Sequence, residues 1–313
     1  MVLCSLIYSQ PVKAKLFAFA DSTEETSHTV GLVQPITDLL RYEFWRYAFI
    51  GGLLTSLVCS VLSIYVVLRR MAFIGQGISH SAFGGIALGI YLFAGHPYST
   101  VGIYATALIF CILVAWFIAG TTREGTISED SAIGIFLVVS MAIGIIFFKA
   151  ARGYNQDAMS YLFGSVLALS KTELWIIVAL AIVVLVPLFA FQKEFIFYAF
   201  DQRMARVAGV PVVFLHYLLL TLLSVTIVIS TRLVGLVLVS AFLVLPAATA
   251  QLLTERLRTF IASSIALGVC CTLCGLIISS LVDIPAGAAI VLTQFAVFLS
   301  ALGWQRVRSR FLS

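Results

Sequence analysis

Charge is scarce in this chain: 14 acidic and 19 basic side chains make up 11% of 313 residues, where an ordinary soluble domain carries roughly a quarter. Beyond residue 45, long polar stretches are missing as well. Several chemical signatures are also absent. There is no Gly-x-x-x-x-Gly-Lys-Ser/Thr loop, which excludes ATP binding of that kind. No His-Glu-x-x-His motif or paired aspartates occur inside the apolar runs, which argues against an intramembrane enzyme. The six cysteines, Cys4, Cys59, Cys111, Cys270, Cys271 and Cys274, lack the paired spacing of a disulfide framework. The cluster "CCTLC" reads as small buried packing residues rather than a thiolate metal site.

Apolar residues fill the chain instead, at 61% of the total, with a mean hydropathy of +1.10. A helix needs about 20 apolar residues to cross a bilayer. Nine runs approach that length: 47–68, 73–94, 100–119, 132–149, 173–191, 211–230, 233–252, 259–281 and 285–303. The expected fold is all-α, a polytopic membrane bundle of about eight to nine spans. Residues 1–45 form an N-terminal extension, 46–304 the transmembrane domain and 305–313 a short basic tail. Within the extension, "VQPITDLLRYEFW" suits an interfacial amphipathic helix. "FAFADS" imitates a signal-peptidase site, but the apolar stretch before it is short and interrupted by Pro11, Lys13 and Lys15, so an uncleaved extension is expected.

Basic residues collect on the cytoplasmic side of membrane proteins. With Arg69 and Arg70 inside, Arg123, Lys193, Arg203, Arg206, Arg256, Arg258 and the C-terminal arginines fall inside too. Only Lys149, Arg152, Lys171 and Arg232 fall in outside loops, although Lys13, Lys15, Arg41 and Arg46 of the extension oppose this orientation. The N-terminus is expected outside and the C-terminus inside.

One apolar run opens on polar residues, "GQGISHSAFGG" at 75–85. Positions i and i+4 share a helix face, so Gln76 and His80 stand together. Gly77, Ser81, Ala82, Gly85 and Gly89 supply the small residues that let membrane helices approach closely. A histidine inside a membrane faces the bundle interior or a polar path, and imidazole is a common ligand for first-row metal ions. A packed histidine satisfied by a neighbouring helix fits the same pattern. Elsewhere, Phe200, Met204 and Val207 form an apolar stripe at helical spacing between Asp201 and Gly209, Ser128-Glu129-Asp130 suits a helix cap, and Pro246 in "LPAATA" suggests a kinked, closely packed helix. His216 reads as a packing histidine and Asp283 as a loop carboxylate.

Four blocks in order, "VVLRRMAFIGQGISHSAFGGIALG" at 66–89, "SEDSAIGIFL" at 128–137, "MSYLFGSVLALS" at 159–170 and "FDQRMARVAGVPV…VGLVLVSAFLVLPAATA" at 200–250, resemble the permease subunits of ABC-type zinc, manganese and iron importers. The resemblance covers about residues 46 to 303 and implies a type II ABC importer-like bundle in a prokaryotic inner membrane. It implies that His80 is a metal ligand on the permeation path. The family signature commonly reads Gly-Asp-x-x-x-His, and Gln76 stands here at the aspartate position, bringing an amide oxygen without charge. The segment 193–209 resembles a coupling helix, with Phe200, Asp201, Arg203, Met204, Arg206 and Gly209 facing an ATP-binding partner subunit. "YLFGSVLALS" is too short to span and suits a re-entrant or interfacial helix. The implied assembly is a homodimer with a central path, fed by an extracytoplasmic solute-binding protein. Zinc, manganese or iron is its cargo and no cofactor is resident. The alternative is a permease for a larger metal chelate, such as a siderophore or cobalamin.

Overall fold

Apolar runs with few internal breakers become helices here, as hydropathy predicts. The computed structural model describes residues 43–93, 99–123, 127–151, 170–282 and 284–312. Most of the N-terminal extension, with its expected interfacial helix, lies outside the described residues, as do Asp283 and nearly all of the 159–170 segment. Twelve helices are seen among those described: α1 (Glu43–Leu68), α2 (Ala72–Phe93), α3 (Ser99–Arg123), α4 (Glu129–Ala150), α5 (Lys171–Ala190), α6 (Gln192–Phe200), α7 (Gln202–Val207), α8 (Val212–Leu233), α9 (Leu236–Phe242), α10 (Leu245–Leu253), α11 (Leu257–Val282) and α12 (Ala286–Leu312).

Seven of these, α1, α3, α4, α5, α8, α11 and α12, are long and apolar enough to cross a membrane. Helix α2 has the length of a span, 22 residues, but its Gln, His, Ser and Gly content dilutes its hydropathy. It compensates by burial, packing against α3, α4, α8 and α9. An added Cβ at Gly85 would sit 2.7 Å from the Ala107 Cα, and at Gly89 2.8 Å from the Ile103 Cα. Only glycine lets α2 and α3 approach this closely.

Several helix ends are written in polar residues. Ser128 caps α4 by accepting from the Ser131 N–H at 3.2 Å. Ser170 and Glu173 form a reciprocal capping box on α5. The α1–α2 turn is a Schellman motif: the Met71 N–H donates to the Val66 carbonyl and the Arg70 N–H to the Val67 carbonyl, both at 3.0 Å. Arg70 takes the left-handed position usually given to glycine, with φ 58°.

The expected continuous span 233–252 is instead two short helices. Helix α8 runs through Ser230 and Thr231 to Leu233, and Gly235 at φ 88° then turns the chain into α9. A second break falls at Leu243–Val244, with Pro246 in the first turn of α10. Hydropathy cannot register such breaks, because both halves are equally apolar. Inside a membrane the freed backbone groups need partners, and α1 supplies one: Ser63 Oγ accepts from the Ala247 N–H at 3.2 Å and donates to the Val244 carbonyl at 3.5 Å. Two smaller differences concern α11 and α12. The basic stretch expected as a tail continues α12 as helix to Leu312. Of the three cysteines in "CCTLC" Cys271 is buried, while Cys270 and Cys274 lie on the exposed face of α11.

Candidate functional site

Three faces of α2 are occupied by neighbours. Toward α4, a Cβ at Gly77 would meet Ile133 at 2.6 Å, and Ser81 Oγ bonds Ser140 Oγ at 3.1 Å. Toward α3 lie Gly85 and Gly89. Toward α9, Ser79 Oγ donates to the Leu236 carbonyl, and Gly75 faces Leu243. Gln76 and His80 occupy the remaining edge, between the α4 and α9 contacts. Gln76 is exposed and His80 half-buried, whereas Gly77, Ile78, Ser79, Ser81 and Ala82 around them are buried. Among the described residues this stripe, which also carries Phe73 at 62% exposure, is left uncovered over the first turns of α2, whereas Ala87 further along the same face is buried. No group of three His, Cys, Asp or Glu side chains that could hold a metal ion occurs among the described residues. A cation at this edge would meet one imidazole and one amide from this chain, with room for ligands from outside it.

A second polar centre lies where α1–α2, α6, α7 and α8 converge. Asp201 caps α7, its Oδ1 accepting from the Arg203 and Met204 N–H groups at 2.9 and 3.0 Å. That cap sets the direction of the short helix. Ala205 turns inward at 0% exposure, while Phe200, Met204 and Val207 stand out at 62%, 60% and 85%. Arg203 and Arg206 are exposed beside them. Gly209, at φ 81°, then redirects the chain into α8. Leaving three large apolar side chains in water is costly, so this surface has the character of one that a partner covers.

Beneath α7, Tyr198 is fully buried, and burial pushes its phenol up to about 12 against the pull of the Arg69 charge. Its Oη hydrogen-bonds His216 Nδ1 at 2.8 Å, which fits the packing role expected for that histidine. The Arg69 guanidinium carbon lies 4.3 Å from the Tyr198 ring centroid, and its Nη2 donates to Gln202 Oε1 at 3.3 Å. A cavity of about 170 Å³ adjoins them, lined in part by Glu129, Arg206 and Tyr217. Sequence reading used Arg69 only as a charge marker and missed this centre. The available signal was a basic pair held in a three-residue turn directly before the polar helix.

The fold is that of a multi-pass, all-helical membrane protein, and the comparisons with known proteins make it a membrane permease of the ABC importer type. The ABC 3 transport family model matches residues 41–305, and the chain belongs to that family, the membrane subunits of ABC-type metal-ion importers of the prokaryotic inner membrane. It is 34% identical over 263 residues to the manganese transport system membrane protein MntC of Halalkalibacterium halodurans, covering 84% of this chain and 88% of that one. It is 36% identical over 271 residues to a Haemophilus influenzae protein described as a "probable iron transport system membrane protein", covering 87% and 97%. Among solved structures it resembles PsaBC from Streptococcus pneumoniae in complex with Fab, with TM-score 0.76 and 31% identity over 87% of this chain and 95% of that chain.

Proposed function

We propose that two copies of this chain enclose the path of an ATP-driven importer of manganese or iron, with Gln76 and His80 of each copy lining it. The observation that carries this reading is the orientation of α2: through the helix's first three turns the uncovered stripe is Phe73, Gln76 and half-buried His80, while Gly75, Gly77, Ile78, Ser79, Ser81 and Ala82 around it are buried. In lipid that edge would leave polar groups unsatisfied. Against a second copy it places two imidazoles and two amides around one passage, and imidazole is the stronger ligand for a first-row ion. With no aspartate at position 76 the site holds less negative charge, which favours release of the ion over tight retention.

The exposed stripe of α7 is the docking surface for the ATP-binding subunit on the cytoplasmic side, and a solute-binding protein delivers the ion from the other side. Manganese and iron are favoured over zinc by what the relatives' names say they carry. The deciding experiment measures uptake of radioactive manganese, iron and zinc by cells with the native chain, with His80→Ala and without the chain. Uptake of one or more of these ions that disappears without the chain and drops in the variant is expected. Uptake indifferent to the chain for all three metals would overturn the reading.

A further inference from the structure

The α1–α2 turn does more than reverse the chain. Its Schellman hydrogen bonds fix Arg69 as the last residue of α1's cap and start α2 at Ala72, three residues later. Met71, at 4% exposure, anchors the turn in the core. From this rigid corner the Arg69 side chain crosses to the coupling region. It covers the Tyr198 ring of α6 at 4.3 Å and donates to Gln202, the first residue of α7, at 3.3 Å. Tyr198 in turn is bonded to His216 of α8 at 2.8 Å. His80 lies eight residues along α2 from Ala72, a distance of about 12 Å at 1.5 Å per residue. One cation thus joins the root of the helix carrying the candidate ion ligands to the head of the helix carrying the candidate docking surface. The connection along the chain between them passes through four further helices among the described residues.

We infer that Arg69 is a positioning residue for transport: through Gln202 and Tyr198 it makes the base of α2 follow α7, so that movement of the docked ATP-binding subunit reaches the Gln76–His80 edge. The guanidinium suits this task because it can stack flat on a ring while its edge donates, a geometry an ammonium does not reproduce. Coupling carried by such a link is worth a modest factor rather than an all-or-none loss. This inference rests on α7 being the docking element.

The test uses the complete transporter, this chain with its ATP-binding subunit, in proteoliposomes, and counts radioactive manganese taken up per ATP hydrolysed. Arg69→Gln and Gln202→Leu should each lower that ratio by about fivefold or more while hydrolysis continues, and Arg69→Lys should recover part of it. A ratio unchanged in Gln202→Leu overturns the inference, even where Arg69→Gln fails to fold. So does a loss of melting temperature with the ratio intact, which marks a merely structural contact. Retention of the ATP-binding subunit on the purified variants is measured in parallel, and its loss would place Arg69 in assembly and overturn the link. Val207→Asp separates the underlying reading: if the ATP-binding subunit stays bound to that variant, docking on α7 fails irrespective of the Arg69 result.

Discussion

His80 and Arg70 pose separate questions at the scale of one side chain, the first about the proposed ion path and the second about stability. Removing the imidazole in His80→Ala should lower manganese uptake by roughly tenfold or more, the scale on which altered metal sites lose affinity, with unchanged protein in the membrane. Gln76→Asp should restore a charge beside it, tightening ion binding and slowing release. Equilibrium binding and uptake measured on the same purified variants check both expectations, and a His80→Ala protein that melts early yet transports normally would mark a packing residue. Arg70 makes a separate case. Held at φ 58° in the left-handed region, it lies exposed, so Arg70→Gly relieves strain without removing a buried contact. A gain of about 0.5 to 1 kcal/mol is expected, read as a raised melting temperature. The pairing of Gln76 with His80 was legible from spacing alone. That their edge is left uncovered in this chain was not, because spacing gives a face and only the neighbours decide what it meets.

The broken pair α9–α10 and the short α7 show the same limit for whole elements. Long spans announced themselves through hydropathy: α1, α3, α4, α5, α8 and α11 appeared near their expected bounds, and α12 began where expected but ran on to Leu312. The break at Val244 did not, since Leu243, Val244 and Leu245 are as apolar as the helices they separate. Its sequence trace was Pro246, which suggested a kink rather than a new helix. The break depends on a residue nearly 200 positions away: Ser63, at 0% exposure, pairs both the Val244 carbonyl and the Ala247 N–H. Ser63→Ala would leave the Ala247 N–H without that partner in an apolar setting. The expected cost is about 1 to 3 kcal/mol, visible as a lower melting temperature in detergent. Ser63→Thr should retain most of the stability, because the hydroxyl remains. Just past α7, Gly209 has open space around an added Cβ but φ 81°. A side chain there meets backbone strain rather than a clash, so even Gly209→Ala should lower manganese uptake per ATP hydrolysed by disturbing the exit from the helix.

For the whole assembly, the proposed function places a second copy against the Gln76–His80 edge of α2. Against lipid, the unsatisfied polar groups of a face bearing Gln76 and half-buried His80 are costly; in the proposed dimer the same residues face themselves across a symmetric path. The dimer predicts proximity between equivalent positions. In a chain with the exposed Cys270 and Cys274 replaced by serine, Gln76→Cys should be joined between copies by a short bifunctional thiol reagent in native membranes. Ile146→Cys, on the outer face of α4 at 64% exposure, is the comparison for a surface that meets lipid, and should not be joined. Added manganese should slow the Gln76→Cys reaction, because an ion held near His80 occupies the gap that the reagent must bridge. Equal cross-linking at both positions would indicate random collision rather than an interface. Absence of cross-linking at Gln76→Cys, in membranes where the transporter remains active, would remove the symmetric path and leave His80 facing a partner other than its own copy.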